Sequence, residues 1–303
     1  MLKTLKLLYL YNGMPTLSGR KNGARHVLVA IGIAMTLSII LMGIKPTIQS
    51  SFASKEGAIT LVQADQSKSM ATTNNNKTMS IVLVHGLWAD ASSWSKVIPI
   101  LKKAGYNVIA PQLPLHSLKD DVATVNRAVE LAGGPVILAG HSYAGFVITN
   151  AAYNNPNVKG LVYVSAFAPD NGKSITDYVD VTKLPKDLLV LDSSGFAYIN
   201  PAFFHDTFAQ DLDKAQTDVM AVVQKPVNQS IFGEKSGPPA WKQLPTWFQV
   251  SENDHLIPLD LQRTFAQQMN ATTISLPSGH ASLVSHPNEV AQLILNATKG
   301  ASR

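Results

Sequence analysis

Six short apolar runs separated by helix-length stretches constrain this chain more than any other feature of it. The runs are SIVLVH (80–85), NVIAP (107–111), PVILAG (135–140), VKGLVYVS (158–165), TWFQVS (246–251) and TTISLP (272–277). They are largely continuous rather than alternating in polarity, as strands covered on both faces must be. Helix candidates lie between the first three runs at 93–103 and 119–131. Two more begin at Tyr143 and Leu259, and the last spans 288–296, with Pro287 pre-set for its first turn. This order predicts an α/β fold with a mostly parallel, doubly wound sheet.

One stretch breaks the rhythm. Residues 169–244 are too many for a loop and lack the strand spacing of their surroundings. They contain FFHDTFAQDLDKAQTDVMAVVQ, which reads mostly as amphipathic helix, so the expectation is a helical cap inserted at about 169–244 that roofs a pocket. Phe196, Phe203, Phe204 and Phe232 within it hint at an apolar lining.

The sharpest motif is Gly140-His141-Ser142-Tyr143-Ala144-Gly145, directly after one apolar run and directly before a helix. A strand that turns sharply into a helix holds its turn residue in a strained conformation, exposes the side chain, and needs small residues two before and two after it. Gly140 and Ala144 are those neighbours, Ala144 departing from the usual Gly by one methyl. Ser142 is the candidate nucleophile.

A serine hydroxyl is a weak nucleophile until a base accepts its proton. His280 follows the last strand candidate in Pro277-Ser278-Gly279-His280, and is preferred over His286, which abuts Pro287 and suits a capping or surface role. The imidazole in turn needs a carboxylate to fix its tautomer. Asp254, in SENDHLIP after TWFQVS, lies 26 residues before His280. Glu252 sits too close to the strand end and Asp260 suits a helix's first turn, whereas Asp170 is a more distant alternative.

Acyl transfer also places negative charge on a carbonyl oxygen, which backbone N–H groups must meet. Tyr143 supplies one at a helix N-terminus, and Leu87 supplies the second from the loop His85-Gly86-Leu87-Trp88. His85 is assigned no chemistry. Trp88 and Trp94 fit pocket lining and core packing equally.

VHGLWADASSW, GHSYAG, VSENDHLIP and SGHASLVSHP, in this order and spacing, resemble the α/β-hydrolase family, particularly its small-cap branch of bacterial esterases, plant methyl esterases and hydroxynitrile lyases. The resemblance covers about residues 80–298. It implies Ser142 as nucleophile, Asp254 as acid, His280 as base, and Leu87 and Tyr143 as oxyanion donors. It also implies a serine-dependent carboxylic ester hydrolase that works through an acyl-enzyme on a small ester-like substrate. Lactonase or cofactor-free perhydrolase chemistry on the same triad, and a non-enzymatic ligand receptor on the same fold, stay open. The lyases of the branch typically carry Lys after the catalytic His and Thr near the oxyanion site, where this chain has Ala281 and Leu87.

Composition bounds the rest. The chain has no cysteine, so neither a disulfide framework nor a thiolate site exists. No metal cluster or phosphate loop is apparent, and no cofactor is expected. The net charge of +5 is carried by residues 1–53, which hold Lys3, Lys6, Arg20, Lys21, Arg25 and Lys45 without an acid, leaving 19 basic against 20 acidic side chains from Ser54 onward. A nearly neutral body argues against a nucleic-acid partner. The uncharged run VLVAIGIAMTLSIILMGI (27–44) after that basic segment reads as an export signal, with cleavage after Ala53, or as a retained anchor. Either way the remainder is expected to be exported, periplasmic or secreted, with no stable membrane partner unless 27–44 is kept. Residues 54–78 read as a polar linker and 79–303 as the α/β domain. Oligomeric state is not legible.

Overall fold

The structure is a computed structural model and describes residues 79–180 and 183–302. All of these fall in the second of its two units, Met70–Arg303. The expected signal or anchor and the linker lie outside the described residues.

Six parallel strands form the main sheet: β1 (Ser80–Val84), β2 (Asn107–Ile109), β3 (Val136–His141), β4 (Val158–Val164), β8 (Thr246–Ser251) and β9 (Thr272–Leu276), in the order β2-β1-β3-β4-β8-β9. Each matches one of the six apolar runs. Because side chains alternate across a strand, each strand feeds two cores. In β1, Val82 and Val84 pack beneath α2 (Leu118–Ala132) and α3 (Ala144–Ala151), whereas Ile81 and Leu83 pack toward α1 (Val97–Lys103) and α8 (Pro287–Gly300). The sheet is thus covered on both faces, as its near-continuous hydrophobicity requires. Ser117 caps α2 by accepting from Asp120 N–H, and Gly133 ends it in a left-handed conformation. α6 (Leu259–Gln268) follows β8, and the short α7 (Ser282–Ser285) follows β9.

The expected helix at 93–103 is instead a 3-10 turn, Ala91–Trp94, followed by α1. Asp90 caps the start of the turn by accepting from Ser92 N–H, and Ser95 N–H closes it on Ser92 O before α1 begins.

The stretch between β4 and β8 is less helical than expected. It holds α4 (Pro201–Phe208) and α5 (Lys214–Val223), but also a separate antiparallel sheet of β5 (Leu189–Leu191), β6 (Phe196–Ile199) and β7 (Val227–Asn228), in the order β5-β6-β7. Strands of two to four residues are too short to show a period of two in sequence.

In the main sheet the chain runs outward from β1 to β2 and then returns to β3 on the other side of β1. Parallel sheets open a crevice at the carboxyl ends of the strands where the order reverses. Leu87 follows β1 and Ser142 follows β3, so both stand at that crevice, while Asp254 follows β8 and His280 follows β9 at the same edge.

Candidate active site

Ser142 stands between β3 and α3 with φ of 58°, a left-handed conformation uncommon for a non-glycine residue. The surroundings enforce it. Ser142 N–H donates to Val164 O at 3.1 Å, and Ser142 O accepts from Gly145 N–H and Phe167 N–H at 3.0 and 3.2 Å. A Cβ on Gly140 would approach Ala144 O to 2.8 Å, and one on Gly145 would lie 1.7 Å from Phe167 O. Strand, turn and helix therefore pack more closely than any side chain at either position allows. The motif in the sequence marks positions 140 and 144 as needing small residues. The tighter restriction falls on Gly145.

The structure brings three of the expected side chains into one hydrogen-bonded line. His280 Nε2 is 2.8 Å from Ser142 Oγ, and His280 Nδ1 is 2.8 Å from Asp254 Oδ2. Exposure is 8% for Ser142 and 1% for His280, and Asp254 is buried as well. Asp254 Oδ1 accepts from the backbone N–H groups of Leu256 and Ile257 at 2.8 and 2.9 Å, and Oδ2 also accepts from Gln262 Nε2 at 2.9 Å. Gln262 is itself fixed by Ser251 N–H, which donates to its Oε1 at 3.0 Å. A carboxylate with this many donors is an acceptor anchored in one orientation, which leaves Nδ1 of His280 as the donor to it.

The alternatives stand elsewhere. Asp170 pairs with Lys242 at 2.8 Å on the surface, and that hydrogen-bonded ammonium holds its carboxyl below the usual range. Glu252 and Asp260 are exposed. His286 is the residue before α8, with Nδ1 2.9 Å from Ser285 Oγ.

Leu87 and Tyr143 line the same cavity as Ser142. A Cβ on Gly86 would come within 2.8 Å of Ser142 Cβ, so the loop after β1 lies directly against the serine. His85 orients that loop, a role the sequence did not suggest. Its Nε2 accepts from Leu113 N–H at 2.9 Å, which leaves the proton on Nδ1 to donate to Gly86 O at 2.9 Å. In a trans peptide the N–H lies opposite the carbonyl, so holding back Gly86 O turns the Leu87 N–H the other way. Burial lowers the His85 pKa to about 4, keeping the ring neutral. Tyr143 is held by its side chain, whose hydroxyl donates to the buried carboxyl of Asp121 at 2.8 Å.

Under the three carboxyl-end loops runs a buried polar network. Ser165 Oγ meets Gln249 Oε1, Ser251 Oγ and Ser282 Oγ at 3.1, 2.7 and 3.0 Å, and Ser251 Oγ reaches Ser278 Oγ at 2.8 Å. It joins the ends of β4, β8 and β9, and so fixes the spacing between the segments that carry Asp254 and His280.

The cavity above Ser142 has a volume of about 310 Å³, and none of the described residues lining it is charged. Its walls combine Phe167 and Ile257 with side chains from the insert, including Ile175, Leu188, Ile199 and Phe232. Trp88 lines it, with Nε1–H donated to Ala197 O at 3.1 Å, whereas Trp94 is fully buried in the core. Among the described residues there is no cluster of three or more His, Asp or Glu side chains able to hold a metal, and no helix long and apolar enough to cross a membrane.

Residues 81–293 match the Alpha/beta hydrolase family. The chain is an α/β-hydrolase. Among characterised members, this hydrolase is 26% identical over 244 residues to the pyrethroid hydrolase of Sphingobium wenxiniae, covering 71% of this chain and 85% of that one. It is 35% identical over 124 residues to the carbendazim hydrolyzing esterase of a Nocardioides species, covering 36% of this chain and 48% of that one. Among solved structures, an extracellular α/β-hydrolase from a Paenibacillus species superposes with a TM-score of 0.64 at 23% identity, covering 72% of this chain and 98% of that one. The relatives of this α/β-hydrolase include several esterases.

Proposed function

We propose that this α/β-hydrolase cleaves an uncharged, largely apolar carboxylic ester through an acyl-enzyme on Ser142. One observation carries the reading: Ser142 Oγ, His280 and Asp254 form a continuous hydrogen-bonded line with steps of 2.8 Å, opening into a cavity whose described lining residues are all uncharged.

In the first half-reaction His280 Nε2 takes the Ser142 proton as Oγ attacks the ester carbonyl carbon. Asp254 keeps the opposite proton on Nδ1 and stabilises the imidazolium that forms. The oxyanion is met by the Leu87 and Tyr143 N–H groups, held beforehand by His85 and Asp121 respectively. The imidazolium then protonates the departing alkoxide, leaving Ser142 acylated. In the second half-reaction His280 accepts a proton from water, whose oxygen attacks the acyl carbon, and returns it to Oγ as the carboxylic acid leaves.

The cavity sets the substrate class. A carboxylate or ammonium on the substrate would enter a space in which no described lining residue carries a counter-charge, and its lost hydration would go unrepaid. Export of the chain, proposed from the basic segment and apolar run of residues 1–53, fits a scavenging esterase acting on diffusible esters.

The reading is tested by stopped-flow hydrolysis of nitrophenyl butyrate by the purified chain. A burst of nitrophenol stoichiometric with enzyme is expected, falling at least about a thousandfold in rate in Ser142→Ala. Turnover that survives in Ser142→Ala would overturn it.

A further inference from the structure

Trp88 lines two cavities. On one side is the space above Ser142; on the other is a second cavity of about 360 Å³ between the 3-10 turn Ala91–Trp94 and helices α4 and α5. The second cavity is lined by Phe204, Phe208, Val219, Met220 and Val223, with Asp90, Ser92, Ser93 and Gln216 forming a polar part of its wall. It approaches the site from behind, since the ring of Phe208, part of its wall, lies 5.3 Å from that of His280. Val219 and Val223 are 62% and 58% exposed, so this apolar surface on α5 opens outward.

The indole between the two spaces is locked in place. Its Nε1–H bonds Ala197 O, its ring centroid is 6.0 Å from that of Phe232, and its backbone sits at φ 56°. A bulky residue persists at positive φ only where its surroundings over-determine it. Nothing in this lock touches the hydrogen-bonded line from Ser142 to Asp254.

We propose that Trp88 is a specificity-determining wall: it confines the substrate to the first cavity and so sets the chain length of the ester accepted, and the cavity behind it is a latent subsite for a linear alkyl chain. The occupant follows from the lining: most of its described residues are aromatic or aliphatic, and the one charged residue among them, Asp90, repels an anionic group. The second cavity is similar in size to the first, so its opening adds room for a chain longer than the wild-type enzyme takes. This inference rests on the esterase reading above.

The test is the ratio of kcat/KM for nitrophenyl dodecanoate to that for nitrophenyl butyrate. Each methylene that finds an apolar pocket changes kcat/KM severalfold or more, so Trp88→Ala is expected to raise the ratio at least about tenfold. Trp88→Phe, which keeps a ring in the wall, is expected to stay near the wild-type ratio. Met220→Trp added to Trp88→Ala refills the second cavity from its far side and is expected to bring the ratio back down. An unchanged ratio in Trp88→Ala, or a raised ratio that Met220→Trp fails to lower, overturns the proposal. Trp88→Leu serves the same comparison if the alanine variant does not fold. Should the wild type turn over neither ester, the catalytic reading fails by itself. Calorimetric titration with 1-decanol then decides the wall: binding by Trp88→Ala and not by the wild type supports it, and equal binding or none by both overturns it.

Discussion

His141 Nε2 lies 2.9 Å from the backbone carbonyl oxygen of His280, so the residue before the candidate nucleophile holds the residue whose ring faces it. The bond makes Nε2 the protonated nitrogen and leaves Nδ1, which is buried without a partner, unprotonated. Burial first, and the neighbouring His280 next, push the His141 pKa well below its ordinary value, so the ring stays neutral and does not compete for the proton that His280 is to carry. The two rings, 4.8 Å apart, join the turn after β3 to the loop after β9.

Loss of this tether is expected to misplace the base without emptying the pocket. His141→Leu should lower kcat roughly 10- to 100-fold with little change in KM, and His141→Gln, which still carries an N–H at similar reach, should recover most of it. Steady-state kinetics of both variants check this. Equal losses in the two would assign His141 to packing alone.

Gly145 offers a sharper test of the turn than Ser142 itself. The alanine Cβ would lie 1.7 Å from Phe167 O, backbone that cannot rotate away, and Phe167 N–H also holds Ser142 O. Gly145→Ala is therefore expected to destabilise by about 3 kcal/mol and to depress activity in whatever fraction folds. Urea unfolding and the specific activity of the folded fraction measure the two effects. A variant as stable as the wild type would show that α3 does not need this approach.

The sequence made the scaffold legible because its signals are local. Each main-sheet strand coincides with a run of apolar residues, and the order of Ser142, Asp254 and His280 along the chain places them on the carboxyl-end loops of β3, β8 and β9. What it hid is held by non-local partners. His85 reads as an ordinary loop histidine until Leu113 and Gly86 close on its two nitrogens, and Gln262 is one polar residue of a helix until Asp254 meets it. The Ser165–Gln249–Ser251 network involves residue types common on any surface. Gly145 was half visible: the motif marks a small residue near that position, but only the closeness of Phe167 O says why. The small sheet of the insert was missed for want of length.

Asp121 links the site to pH. Its carboxyl accepts from Leu115 N–H at 2.9 Å and from the Tyr143 hydroxyl, with the charges of Lys225 and Asp120 also bearing on it. Burial outweighs these donors and raises its pKa from 3.8 to about 6. The folded state thus binds a proton that the unfolded chain releases, and this residue's contribution to stability declines as pH rises from about 4 to about 6. Full charging costs about 3 kcal/mol. Between pH 4 and pH 7 the unfolding free energy of the wild type should fall relative to that of Asp121→Asn by up to that amount. Denaturant titrations of both proteins across this range test it. Parallel profiles would contradict it.

Ester cleavage on this site requires that His280 activate Ser142 Oγ. Reaction with an uncharged alkyl fluorophosphonate, followed by mass spectrometry of the digested protein, reads it directly. One adduct per chain is expected, located on Ser142 and forming at least about a hundredfold more slowly in His280→Ala. An adduct on another residue, or labelling of Ser142 at the same rate without His280, would contradict it.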